Sequence, residues 1–348
     1  MKAARMKTAG KIGHRGKGRA RLEDVAQRVG VSAITVSRAL NDPDKVSPAL
    51  RERIRAAILE TGYVPNRAAR SLASNATQTL AVIIPSVSNA VFSNVIKGIY
   101  DVCTPRNYDM LIGNTYYSLQ QEESLIEKFL THMPDGFIIT GLEMTEETEQ
   151  RLRMSGLPIV QMMETDTRPP LDMCVGISHF DAGAAMADYL IDQGYQQISV
   201  IASQLDERTQ HRIQGFSHRL RERRPDAPEQ IIANPKPSSV QLGGQLLAEL
   251  LVRYPDTDAV FCCNDDLAYG AIYECQRRHL RMPQQIAISG FNDLEQSACI
   301  NPSLTSISIP LYEMGKTAAE MMLKRLKGEQ PEPAIVDLGF QLMRRESA

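Results

Sequence analysis

No run of about 18 apolar residues occurs anywhere in the 348-residue chain, so no segment is suited to cross a bilayer as a helix. No C-x-x-C pair occurs among Cys103, Cys174, Cys262, Cys263, Cys275 and Cys299, several of which sit inside apolar runs. Reduced core thiols are expected, with neither a disulfide framework nor a zinc site. No Ser or Cys lies in a nucleophile-elbow pattern, and no strand precedes the glycines at 10, 13, 16 and 18, so they do not read as a phosphate loop. His211 and His218 lie seven apart on one helix and read as ordinary surface or pocket-edge histidines. No apolar stretch of roughly 7–15 residues follows the basic first 21 residues, which leaves a secretion signal unformed. A cytoplasmic protein without cofactor, metal or membrane partner is expected. What is present is a globular composition, 43% hydrophobic and 23% charged, with length enough for two or three domains.

The net charge of −2 conceals an asymmetry. Residues 1–80 carry 16 Lys and Arg against 6 Asp and Glu, whereas residues 81–348 carry 23 against 35. A basic end on an acidic body suggests a polyanion-binding module attached to a domain with another task. Eight of those basic residues fall in positions 1–21, where no acid occurs, so a solvated disordered arm is an equal reading of that stretch.

Spacing decides the question in residues 22–62. In LEDVAQRVG, Leu22, Val25, Ala26 and Val29 recur as one helix face, and Gly30 stops the helix. Ser32 is an N-cap for AITVSRALN, where Val36, Ala39 and Leu40 form the inward face. A connection this short with glycine at the corner makes the two helices cross steeply, as in a helix-turn-helix. Ala33, Ile34, Ser37 and Arg38 fall on the opposite face, where a recognition helix meets base edges. With Ser32, Thr35 and Asn41 they are the candidate DNA contacts. Ser47 and Pro48 announce a third helix that ends at Gly62.

LEDVAQRVGVSAITVSRALN, the following VSPALRERI and GYVPNRAARSL resemble the headpiece of the LacI/GalR family of bacterial repressors. The resemblance implies a hinge helix that forms on DNA, with Asn66, Ala69 and Leu72 at its positions and the leucine wedged into the minor groove. The residues agree in part: PNRAARSLASNATQT is polar, rich in small residues and too short for a core, which suits a linker.

From Leu80 the pattern changes to short apolar strands alternating with helices: LAVIIP, YDMLIGN, DGFIIT and LPIVQMM, then ISVIAS, IIAN, AVFCCND and IAISGFND. Buried parallel strands in two doubly wound α/β lobes are predicted, with ligands at the strand C-terminal loops. The family resemblance covers this half too and implies an effector-binding core of periplasmic-binding-protein type. The expected organisation is a basic arm (1–21), a headpiece (22–64), a hinge (65–79) and a core (80–340). The first lobe takes about 80–178 and 308–340, the second about 179–307.

Strand-end residues supply the pocket candidates: Ser86, Asn89, Phe92, Thr140 with Gly141, and Glu164 in the first lobe; Asp206, Glu207, Arg208, Thr209, Arg212, Asn264 with Asp265, Asn292 and Asp293 in the second. The resemblance places the family's ligand-gripping arginine at Arg212 and its strand-end asparagine at Asn264. Where neutral-sugar repressors carry an acid, this chain has Asn292. An amide there, with Arg208 and Arg212 nearby, suits an anionic ligand, because the guanidinium fork pairs with two carboxylate or phosphate oxygens. The loop SQLDERTQHR, FCCNDDLAYGA and IVDLGF are similar to gluconate-utilisation repressors. The sequence therefore predicts a homodimeric repressor of sugar-acid catabolism that binds palindromic operator DNA and takes gluconate or a phosphorylated relative as effector. A neutral sugar or nucleobase is the alternative effector. The enzyme alternative rests on Asp265 and Asp266 as an acid/base pair, although Asp266 reads more simply as the cap of a helix starting at Leu267.

Overall fold

The structure, a computed structural model, describes residues 20–64, 76–165 and 168–348, without the side chain of Asn41. Two compact units divide at Asn75. The smaller holds three helices, α1 (Leu22–Val29), α2 (Ala33–Asn41) and α3 (Pro48–Thr61). Asp24 reaches back to accept from the Arg21 backbone N–H at 2.7 Å. Gly30, at φ 77°, ends α1 in the left-handed conformation that glycine tolerates best. Val25, Ala26, Val29, Val36, Ile54 and Ala57 form the small core. Arg53 Nη2 donates to the Val29 carbonyl at 2.7 Å, tying α3 to the end of α1.

The larger unit is two α/β lobes. In the first, β1 (Thr79–Ile84), β2 (Asp109–Asn114), β3 (Gly136–Thr140), β4 (Ile159–Glu164), β5 (Met173–Ile177) and β11 (Ile335–Asp337) lie in the order β11-β5-β4-β3-β1-β2. In the second, β6 (Ile198–Ser203), β7 (Gln230–Asn234), β8 (Ala259–Cys262), β9 (Ala287–Asn292), β10 (Thr305–Ser308) and β12 (Gln341–Met343) lie in the order β12-β10-β9-β8-β6-β7. All neighbours are parallel except β10 and β12. The central strands are continuous apolar runs because helices cover both faces. In each lobe the strand order reverses at one point, β1/β3 in the first and β6/β8 in the second. The loops beyond those strands frame the crevice in which doubly wound folds bind ligands.

The covering helices of the first lobe are α4 (Ala90–Cys103), α5 (Leu119–Thr131), α6 (Glu146–Ser155) and, after the chain returns past β10, α11 (Leu311–Leu326). Those of the second are α7 (His179–Asp192), α8 (Glu207–Arg223), α9 (Val240–Arg253) and α10 (Asp265–Arg277). A last crossing takes residues 341–348, beyond the boundary at 340, back to the second lobe, where the Ile288 N–H donates to the Ser347 carbonyl at 2.8 Å. Helices α7 and α8 pack backbone to backbone. A Cβ built on Gly215 would lie 1.9 Å from the Phe180 carbonyl, and one on Gly183 2.2 Å from that of Arg212. This contact sets where α8 presents its first turns.

Candidate functional site

Two sites emerge, one in each unit. In the headpiece the Ser32 hydroxyl accepts from the Thr35 N–H at 3.2 Å and lies 2.9 Å from the Thr35 hydroxyl, so these two candidates build the N-terminus of α2. Ile34 is 70% exposed, and Arg38 is exposed as well. Two assignments to the faces of α2 change. Ala33, expected on the outward face, is half-buried against the headpiece core, and Leu40, expected inward, is exposed. The helix is only nine residues long, and Val36 alone among its described side chains is fully covered, with Ala33 and Ala39 flanking it. Ser37 lies half-buried on α2 and Asn41 closes it. Asn66, Ala69, Leu72 and the arm 1–19 lie outside the described residues.

The second site is the cleft between the lobes, which has two compartments. The arginine compartment is lined from the first lobe by Asn89, Phe92, Tyr117 and Met163, and from the second by Thr209, Arg212, Ser238, Asn264 and Asn292. The acidic compartment is lined by Glu122, Thr140, Gly141, Glu143, Glu164 and Glu207, among others. Tyr117, Asp206 and Arg208 border both, forming the seam.

Local structure explains the placements. Asp206 is the N-cap of α8, its Oδ1 accepting from the Thr209 N–H at 3.0 Å, so Glu207, Arg208, Thr209 and Arg212 lie on the first turns of a helix rather than in a loop. Arg208 donates from Nε to Asp206 Oδ2 at 3.1 Å and from Nη2 to the same oxygen, while its buried Nη1 has no partner among the described residues. This pairing holds the Asp206 carboxyl well below the ordinary carboxylate range, against the opposing effect of burial.

Arg212 is buried and triply held. Nη1 donates to the Cys263 carbonyl at 2.6 Å, Nε donates to His179 Nδ1 at 3.1 Å, and the guanidinium carbon lies 3.9 Å from the Phe291 ring centroid. His179 Nε2 in turn donates to the Met163 carbonyl at 3.1 Å. Burial, with Arg212 and Arg208 beside it, pushes the His179 pKa well down, which keeps the ring neutral and able to accept from Arg212.

On the first-lobe side, Glu164 Oε1 accepts from the Leu142 N–H at 3.1 Å, and among the described residues its Oε2 has only His211 Nδ1 nearby, at 3.9 Å. Burial pushes Glu164 up to about 7 and Glu122 up to about 8. Glu122 Oε1 and Thr140 Oγ1 are buried without a partner among the described residues. Arg168, in the loop after β4, donates to Glu207 Oε1 at 2.6 Å and ties the two lobes at the rim.

The structure thus brings Asn89, Phe92, Arg208, Arg212, Asn264 and Asn292 to one compartment, and Thr140, Glu164 and Arg208 to the other. Ser86 and Asp293 line neither. The Ser86 hydroxyl accepts from the Asn89 N–H at 3.2 Å, and Asp293 pairs with Arg345 at 2.7 Å. Asp266 is not the cap of α10. That role falls to Asn264, whose Oδ1 accepts from the Leu267 N–H at 3.1 Å, because the helix begins two residues earlier than expected, at Asp265. Asp265 is fully buried and accepts from the Leu294 N–H and the Ser297 and Ser306 hydroxyls at 2.7–2.9 Å. It organises the turns behind the cleft and is remote from solvent, which removes the acid/base pair. No pattern in the sequence points to Tyr117, Met163, Ser238 or Glu122. His179 could have been found had the strand MCVGI been separated from the helix after it. Among the described residues no group of His, Cys, Asp and Glu could hold a metal ion, and no helix is long and apolar enough to cross a membrane.

Known proteins resemble the chain over both units. Residues 21–66 match the model for bacterial regulatory proteins of the lacI family, and residues 187–348 match the periplasmic binding protein-like domain. The chain is 43% identical over 330 residues to the HTH-type transcriptional regulator GntR of Pseudomonas aeruginosa, covering 95% of this chain and 96% of that one. The crystal structure of the transcription regulator GntR from Chromobacterium violaceum is 41% identical, covers 77% of this chain and 98% of its own, and superposes with a TM-score of 0.74. A LacI-family transcriptional regulator from Silicibacter pomeroyi is 34% identical, covers 94% and 99%, and superposes with a TM-score of 0.88.

Proposed function

The chain belongs to the lacI family of bacterial regulatory proteins, and from that premise we propose that gluconate or a phosphorylated relative, bound in its interlobe cleft, sets its affinity for operator DNA. It is a helix-turn-helix transcriptional regulator and not an enzyme. It acts in the cytoplasm as a homodimer, because one small headpiece offers too few contacts for specific binding and two-fold pairing matches a palindromic operator. The reading of the headpiece takes Ile34, Ser37 and Arg38 as base-edge contacts and the segment with Asn66, Ala69 and Leu72 as the hinge.

The observation that carries the effector class is the pair Arg208 and Arg212, on successive turns of α8, facing Asn264 and Asn292 rather than an acid at the last strand end. A carboxylate at Asn292 would repel an anion, whereas an amide donates to it. The ion pair of Arg208 with Asp206 favours a second reading, a neutral sugar, since it offsets one of the two charges. Regulation then needs only that the ligand prefer one arrangement of the lobes, shifting operator affinity by its difference in affinity for the two. Calorimetric titration with gluconate, 6-phosphogluconate, glucose and a purine base, followed by operator binding at saturation, tests the reading. Binding of glucose or the purine without either acid overturns the anionic assignment.

A further inference from the structure

The acidic compartment is built unlike a solvated cluster of acids. Glu164 is 1% exposed and Glu122 6% exposed, and each has one carboxyl oxygen without a hydrogen-bond partner among the described residues. Thr140 Oγ1 and Arg208 Nη1, on the same walls, are also buried and unpartnered. Buried polar groups are normally paired, so four unpaired ones converging on one cavity call for a ligand. Two acceptor oxygens, a hydroxyl and one guanidinium N–H together match groups that both donate and accept, which is the signature of alcohols.

We propose that this compartment is the hydroxyl-end subsite of the effector cleft, with Glu122 and Glu164 as specificity residues that hold the far hydroxyl groups of an open-chain polyhydroxy acid. The inference rests on the reading of the cleft as a sugar-acid site and adds the ligand's direction and shape. Its carboxylate lies on the side of Arg212, Asn264 and Asn292, where the only acid among the described residues at the border, Asp206, is paired with Arg208. The uncharged end crosses the seam at Tyr117 into the chamber lined by Glu122, Thr140 and Glu164, which offers no free cation for a second carboxylate among the described residues beyond Arg208, already paired with Asp206. A ligand filling both compartments is extended rather than a closed ring. Glu122 faces Glu143 and Arg208; Glu164 faces Arg208, Glu207, Asp206 and His211. Burial favours the protonated form of both, so each can donate to a hydroxyl without repelling the acid end.

The test uses the full chain and titrates six-carbon gluconate and three-carbon glycerate, which is too short to reach across the seam, against wild type, Glu122→Ala, Glu122→Gln and Glu164→Gln. Wild type is expected to bind gluconate at least tenfold more tightly than glycerate. Glu122→Ala should lower gluconate affinity tenfold or more and leave glycerate within twofold, so the chain-length preference collapses. Glu122→Gln, which keeps a donor, should retain most of it. Thermal melting of the ligand-free variants should be unchanged or raised, because an unpaired buried group has been removed. Gluconate binding to Glu122→Ala and Glu164→Gln as it does to wild type overturns the inference alone, as does equal weakening of both acids or a sharply lowered melting temperature in both Glu122 variants. A wild-type protein that binds no aldonate overturns the sugar-acid reading beneath it.

Discussion

The guanidinium of Arg212 sits over Phe291, its central carbon 3.9 Å from the ring centroid, while two of its nitrogens are spent on the Cys263 carbonyl and His179. The arginine is therefore positioned before any ligand arrives. A lysine can neither stack in this way nor donate in two fixed directions. Arg212→Lys is expected to weaken effector binding tenfold to a hundredfold, roughly 1.4–2.8 kcal/mol, in a calorimetric titration. Phe291→Leu, which removes the ring and keeps apolar volume, should cost about 0.5–2 kcal/mol by the same measurement. If Arg212→Lys binds the effector as wild type does, the arginine is a structural strut and the cleft is read wrongly.

The buried acids predict an unusual dependence of stability on pH. Burial raises Glu122 to about 8, and Glu164 and Asp265 to about 7. Between the ordinary carboxylate range and those values the folded chain holds protons that the unfolded chain has lost, so stability falls as pH rises through 5 to 8. The limit is about 1.4 kcal/mol per pH unit for each titrating group. His179, whose pKa is pushed down, acts oppositely, but only below its unfolded value of about 6.5. Melting temperatures are expected to drop from pH 6 to pH 8, and Glu122→Gln should flatten the slope. A melting temperature that is level or rising across this interval would contradict the buried protonated state.

Close packing of α7 on α8 leaves no room for a methyl group at Gly215, where a Cβ would stand 1.9 Å from the Phe180 carbonyl. Gly215→Ala must push the helices apart, and overpacking of this kind costs roughly 1–3 kcal/mol or more. Since α8 carries Arg208 and Arg212, effector affinity should fall together with the midpoint of urea unfolding. An alanine variant with unchanged midpoint and affinity would show that the helix contact does not position the site.

The sheet was legible because its strands are continuous apolar runs, and the strand ends in LAVIIP and ISVIAS led directly to Asn89, Thr209 and Arg212. Strand β5 and helix α7 were not. MCVGISHFDAGAAMADYLID is apolar almost throughout, and neither a period of two nor one of 3.6 stands out when an element is covered on nearly every side. His179 was hidden with them. Glu122 was illegible for another reason: in LQQEES it looks like any acid in the first turn of a helix, and only tertiary packing covers it while leaving Glu123 half-exposed. Leu40 misled in the reverse direction, because helical spacing assigns a face but cannot tell whether a short domain has anything to place against it.

DNA binding separates by the kind of contact each group makes. Arg38 projects from α2 with a donor fork suited to a guanine edge, so Arg38→Ala should cost about 1–3 kcal/mol on operator and relax preference at one base pair. If residues 1–20 touch DNA, they touch phosphates, so deleting them should weaken operator and random duplex alike and lower the salt dependence of binding. Leu72→Ala should give a third pattern, lost specific affinity with effector binding intact, as a side chain wedged at a central base step requires. The three variants are measured on operator and random duplex at two salt concentrations. If Arg38→Ala leaves specificity untouched while deletion of the arm abolishes it, α2 is not the recognition helix, and the headpiece reads DNA with another surface.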